Sequence, residues 1–170
     1  NGDGIQDFAT ANRNDDDVSI RLGDGFGVFT SAMDVSVGNV PYSIAIGDFN
    51  GDGMQDFATA NSNDATVSIR LGDGTGGFTF ATDVSLGTNP YSIAIGDFNG
   101  DGMQDFATAN VNVDNVSIRL GNGTGVFTSL TDVSVGGNPI SIAIGDFNGD
   151  GMQDFATANS GGDNVSVRLG

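Results

Sequence analysis

One string governs what this chain can fold into. Asn-Gly-Asp-Gly begins at Asn1, Asn50, Asn99 and Asn148, a period of 49 residues with no insertion. Residues 50–98 and 99–147 agree at 38 of 49 positions, and their differences gather chiefly at 62–66 against 111–115. A repeated unit this short cannot bury its apolar face alone, so neighbouring units must cover one another. The variable patch is expected to be a permissive surface loop. Residues 1–170 are therefore one continuous array, with repeat 1 at 1–49 lacking its first strand. Repeat 2 follows at 50–98, repeat 3 at 99–147 and a partial repeat 4 at 148–170.

Within a unit the pattern is β throughout. Tyr42-Ser43-Ile44-Ala45-Ile46 alternates and runs into an acidic loop, after which Asp56-Phe57-Ala58-Thr59-Ala60 is a second short strand. Val67-Ser68-Ile69-Arg70-Leu71 puts its aliphatic residues on one face and Ser and Arg on the other, the period expected of a half-buried strand. Gly72-Asp73-Gly74-Thr75-Gly76-Gly77 reads as a hairpin loop, and Phe78 to Leu86 as a fourth strand. Asn89-Pro90 turns the chain into the next unit. No stretch has a helical period. The expected fold is all-β, made of tandem four-stranded antiparallel blades of the β-propeller type. The chain holds about three and a half units, fewer than the roughly four to eight blades that close a propeller. Two copies would not close a ring in phase, because each ends at repeat position 23. The array is expected to be part of a longer one, either a closed ring or an open, fibre-forming run.

The chemistry sits in Asp48-Phe49-Asn50-Gly51-Asp52-Gly53-Met54-Gln55-Asp56. The loop recurs from Asp97 to Asp105 and from Asp146 to Asp154, with a clipped copy from Asn1 to Asp7. Side-chain oxygens fall at loop positions 1, 3, 5 and 9, with glycine at 6, and the carbonyl of position 7 is expected to face inward. Calcium takes about six to eight hard oxygen ligands from a flexible loop, and this spacing wraps a short chain around one ion. Two carboxylates ~4 Å apart repel by roughly 1 kcal/mol in water and about 4 at an effective dielectric near 20. A loop gathering three would splay without a cation. An EF-hand is ruled out, since position 12 is Thr59, Thr108 or Thr157 rather than an acid. The flanks are strands, and the period is too long for a calcium-binding nonapeptide repeat.

These residues resemble the FG-GAP/VCBS repeat family, related to the repeats of the integrin α-subunit head. The resemblance rests on Ser43 to Gly53, Asp56 to Asn61, and Val67 through Gly74 to Phe78, and covers essentially the whole chain. It implies propeller blades with calcium in the loop joining the first two strands. Carried over, the ligands are Asp48, Asn50, Asp52, the Met54 carbonyl and Asp56. Their counterparts are Asp97, Asn99, Asp101, Met103 and Asp105, then Asp146, Asn148, Asp150, Met152 and Asp154. In the first copy Asn1, Asp3, Ile5 and Asp7 remain, without the opening aspartate. The resemblance also implies an extracellular or cell-surface setting with a structural or adhesive role. The expected partners are calcium and other copies of the array or extracellular proteins and glycans. The alternative is a lectin-like, carbohydrate-binding propeller.

Composition agrees with that direction. All 22 acidic residues are aspartate, against five arginines and no lysine, glutamate or histidine, for a net charge of −17. Such charge repels nucleic acid and anionic membrane surfaces. Without cysteine, histidine or lysine there is no disulfide framework, no Ser-His-Asp triad, no Schiff-base lysine and no P-loop. Paired aspartates can hydrolyse glycosides, but a catalytic pair is normally unique and these recur in every unit, so no enzyme is expected. No apolar run approaches the ~20 residues of a membrane span, and no signal peptide is visible. Arg21, Arg70, Arg119 and Arg168 share one repeat position and are expected to pair with nearby aspartates. Phe8, Phe57, Phe106 and Phe155, with Phe49, Phe98 and Phe147, are expected in the blade cores. Tyr42 and Tyr91 give way to Ile140 in the third copy. Asn115, Asn122 and Asn164 stand in Asn-x-Ser/Thr sequons that matter only in a glycosylating host.

Overall fold

The structure, a computed structural model, describes residues 1–170 and contains strands and turns with no helix. The first sheet is β1 (Phe8–Asn12), β2 (Asp17–Gly23) and β3 (Phe29–Ser36). The second runs in order β4 (Pro41–Gly47), β5 (Asp56–Asn61), β6 (Thr66–Gly72) and β7 (Phe78–Ser85). The third has β8 (Pro90–Gly96), β9 (Asp105–Asn110) and β10 (Asn115–Gly121), with β11 (Phe127–Ser129) and β12 (Val133–Ser134) both on β10. The fourth is β13 (Pro139–Gly145), β14 (Asp154–Asn159) and β15 (Asn164–Arg168). Every pairing is antiparallel, and all but β10 with β12 join chain neighbours, a meander in each sheet. The sheets are the blades expected from the repeat. A blade opens one strand before Asn-Gly-Asp-Gly, so the sequence period and the blade are out of step by that strand.

The fourth strand of the unit is continuous in the first two sheets and broken in the third. Opposite β2 and β6 the register skips Ala32 and Ala81, leaving one extra residue as a bulge. Leu130 takes that place in the third sheet, 46% exposed, and the strand divides there into β11 and β12. The larger residue falls where the ladder is already interrupted, so the unbroken strand expected in each copy is lost in this one.

The cores lie between blades rather than within them. Ala58, Ala60, Val67 and Ile69 on one face of the second sheet meet Ile93 and Phe106 of the third. Phe57, on the other face, joins Val18, Ile20 and Val35 of the first sheet. Phe155 does the same with Ala107, Ala109 and Val116. Phe8 and Phe147 lie 45% and 52% exposed at the two ends of the stack, outside the cores expected of them.

The half-buried strand expected at 67–71 is covered on both faces. Ser68 and Thr59 are fully buried and Arg70 nearly so. Their polar face survives burial because it is satisfied internally. Thr59 Oγ1 donates to Asn61 Oδ1, and Asn61 Nδ2 donates to Ser68 Oγ at 2.9 Å. Ser68 Oγ also accepts the Gly38 amide from the segment leaving the preceding blade. A paired polar network of this kind avoids the desolvation cost that a lone buried hydroxyl would carry. Arg21, Arg70 and Arg119 pair with Asp34, Asp83 and Asp132 at 3.3, 3.1 and 3.6 Å. Arg168 instead donates to the Ser134 carbonyl.

Candidate metal centre

Each complete acidic loop joins the first and second strands of a blade, at the same end of all of them. In Asp48–Asp56 the position-1 carboxylate is the hub. Asp48 Oδ1 accepts the amides of Gly51 (2.7 Å) and Asp52 (3.2 Å), and Oδ2 accepts Gly53 (2.8 Å). Gly51 and Gly53 reach this with φ of 75° and 83°, a region costly for residues bearing a Cβ. Asn50 Oδ1 accepts the Asp52 amide while its Nδ2 donates to Asp52 Oδ2, and Asp52 Oδ1 accepts the Met54 amide. The loops at Asp97, Asn99, Asp101 and Met103, and at Asp146, Asn148, Asp150 and Met152, repeat these bonds one for one. In the first copy Asn1 Oδ1 accepts the Asp3 amide and Asp3 Oδ1 accepts that of Ile5.

Position 9 behaves differently. Asp56 is fully buried, its Oδ2 accepting the Phe49 amide and its Oδ1 the Gly72 amide, both at 2.8 Å. Asp105 and Asp154 hold Phe98 with Gly121 and Phe147 with Gly170 in the same way. Asp7 takes the Gly23 amide and the amino group of Asn1. This carboxylate straps the acidic loop to the end of the third strand of its own blade. The residues expected as ligands thus divide into a solvent-facing cluster at positions 1, 3 and 5 and a buried strap at 9. No three acidic side chains converge closely enough to hold a metal ion.

The electrostatics still tie the two groups together. Burial pushes the carboxyls of Asp56 and Asp105 above the usual carboxylate range, against the pull of their two amide bonds. The negative charges of Asp52 and Asp48, or of Asp101 and Asp97, push the same way. Asp97 and Asp146 are held below the usual range, chiefly by the amides of Gly102 and Gly151. The side-chain donors are all oxygens and lie on one tight turn, the donor chemistry that hard divalent cations take.

A second loop, read from the sequence only as a hairpin, belongs to this end of the molecule. The glycine hairpin between the third and fourth strands of one blade packs on the acidic loop of the blade before it. Gly125 donates its amide to the Phe49 carbonyl at 2.9 Å. The only signal in the sequence is an Asx residue repeated at Asp24, Asp73 and Asn122, which looks like ordinary turn chemistry.

Fold and loop together define a tandem β-blade repeat protein with an oxygen-rich loop in each unit. The chain belongs to the FG-GAP-like repeat family, whose pattern matches residues 1–59, 48–108 and 97–157. None of the curated proteins matches it in sequence. Among solved structures it is similar to a protein from Lactobacillus plantarum, with a TM-score of 0.74 and 19% identity over 95% of this chain and 47% of that one. It is also similar to a putative 6-phosphogluconolactonase from Bacteroides uniformis, with a TM-score of 0.76 and 12% identity over 98% of this chain and 48% of that one. At such identities the likeness is one of fold. The chain spans about half the length of these two structures.

Proposed function

We propose that this chain is a calcium-binding, non-enzymatic repeat protein of the extracellular space or cell surface, with a structural or adhesive role. The observation that carries this reading is the same oxygen cluster in each complete loop, Asp48-Asn50-Asp52, Asp97-Asn99-Asp101 and Asp146-Asn148-Asp150. Like charges crowd there against a buried carboxylate. In each loop positions 1, 3 and 5, the position-7 carbonyl and the position-9 aspartate would hold the ion, which would supply the neutralising charge. Extracellular modules bind calcium at ~10⁻⁴ to 10⁻³ M, so such loops fill outside a cell and not in the cytosol. The partners are then calcium itself and further copies of the array, extracellular proteins or glycans. Nucleic acid is disfavoured by the charge of −17. Titration calorimetry tests this: about three calcium ions should bind per chain, and Asp48→Ala, Asp97→Ala and Asp146→Ala should each remove one. Binding that survives all three substitutions together would refute the assignment.

One observation favours a second reading, a lectin-like surface. Tyr42 and Tyr91 stack at 3.9 Å on adjacent first strands, with the Arg13 guanidinium 4.9 Å over Tyr42. Aromatic faces of this kind serve as platforms for sugars. A glycan array in which Tyr91→Ala abolishes every signal would support it, and an unresponsive array would remove it.

A further inference from the structure

Asn-Gly is the dipeptide in which backbone attack on an asparagine side chain is least hindered, since glycine offers no Cβ to block it. Five such pairs occur, at Asn1, Asn50, Asn99, Asn122 and Asn148; Asn1 opens the clipped loop, where no aspartate stands to take the Gly2 amide, and the other four divide in two. Asn50, Asn99 and Asn148 lie in the complete acidic loops and are locked. The Gly51, Gly100 and Gly149 amides donate to the carboxylates of Asp48, Asp97 and Asp146 at 2.7, 2.7 and 2.6 Å. A short bond to a carboxylate holds the amide proton in place, whereas the attacking species is the deprotonated nitrogen. The side chains are held as well, each amide nitrogen donating to the next aspartate at 2.8 Å.

Asn122 has neither restraint. It lies exposed at the tip of the hairpin between β10 and β11. Its Oδ1 accepts the Thr124 amide (3.0 Å) and hydroxyl (2.7 Å), which fixes which side-chain atom is oxygen. Its Nδ2 and the Gly123 amide make no hydrogen bond. The fold also accommodates the aspartate product. The equivalent residue in the sister hairpins is already aspartate: Asp73 Oδ1 accepts the Thr75 amide, the Thr75 hydroxyl and the Gly77 amide. Asp24 accepts Phe26 and Val28.

We propose that Asn122 is a site of spontaneous deamidation, through which the third hairpin acquires the carboxylate that the first two carry. The Gly123 nitrogen, its proton taken by water or hydroxide, bonds to Cγ of Asn122. The Cγ–Nδ2 bond breaks and ammonia leaves, closing a five-membered imide. Water then opens the ring at one of its two carbonyls, giving aspartate or isoaspartate, and no oxidant or reductant is required. The new charge falls on the hairpin whose Gly125 bonds to Phe49 in the neighbouring acidic loop.

The test is to age the folded chain at mildly alkaline pH in a chelator and follow the four sites by peptide mapping with mass spectrometry. Asn122 should convert about tenfold faster than Asn50, Asn99 and Asn148, the effect of one unit in amide acidity. In denaturant the four rates should converge. Equal rates in the folded chain, or an acidic-loop asparagine reacting first, would overturn the proposal. N122D should run with the aged species on ion exchange and melt with the parent, whereas a lower melt would contradict the fit of the product. Working in chelator keeps the outcome independent of the calcium reading.

Discussion

The two ends of the blades are built by opposite means. At the acidic end the same side chains recur in each complete copy, and they hold the backbone: Asp48, Asp97 and Asp146 each gather three amides. At the other end the bonds that recur run from backbone to backbone, and the carboxylates that add to them change place, Asp16 and Asp114 in one position and Asp64 in another. Val37, Leu86 and Val135 donate to the carbonyls of Asp16, Ala65 and Asp114, and Ser62, Val111 and Ser160 donate to those of Val40, Asn89 and Asn138. The bonds keep the 49-residue period while the side chains change. An end fixed by main-chain bonds tolerates drift, as the differences at 62–66 and 111–115 display. An end fixed by carboxylates cannot, because removing the position-1 or position-9 carboxylate leaves two or three amides without a partner.

That contrast can be pressed at both ends. The largest effect is expected at the strap. Asp56→Ala or Asp105→Ala strands two amides, one buried and one half-buried, and should cost about 3 kcal/mol in urea unfolding. A loss no greater than that of an exposed substitution would break the contrast. At the far end Asp114→Ala removes one bond to the Asn138 amide, at 2.7 Å, from a residue with φ 55°. It should cost about 1 kcal/mol, with calcium binding unchanged. Val40 is a β-branched residue at φ 59°, where the third unit has Asn138 at 52°. Val40→Asn should therefore stabilise the fold by about 1 kcal/mol, visible as a raised thermal midpoint. Smallest of all, transplanting residues 111–115 onto 62–66 should shift stability by no more than about 0.5 kcal/mol. A large loss there would show that side chains govern this end too.

Much of the fold was legible because periodicity is a strong signal: strands, turns and the meander follow from alternation around fixed glycines. The strand at 67–71 was readable as a strand but not as buried on both sides. Alternation reports which residues share a face, not whether a polar face meets water. Here Asn61, Thr59 and Ser68 satisfy one another instead. Position 9 was legible as a carboxylate of the loop, yet its hold on Gly72, sixteen residues away, is a tertiary contact that local spacing does not encode. The break at Leu130 depends on a bulge, and the hairpin against Phe49 on the packing of neighbouring blades. Neither leaves a pattern within one unit.

The divalent ion is the point on which the functional reading turns, and a thermal melt in millimolar calcium against the same melt in chelator addresses it most directly. Each site tenfold above its dissociation constant contributes about 1.4 kcal/mol, so the midpoint should climb with calcium and fall back when the ion is removed. A midpoint indifferent to calcium across the millimolar range would contradict a calcium role for these loops.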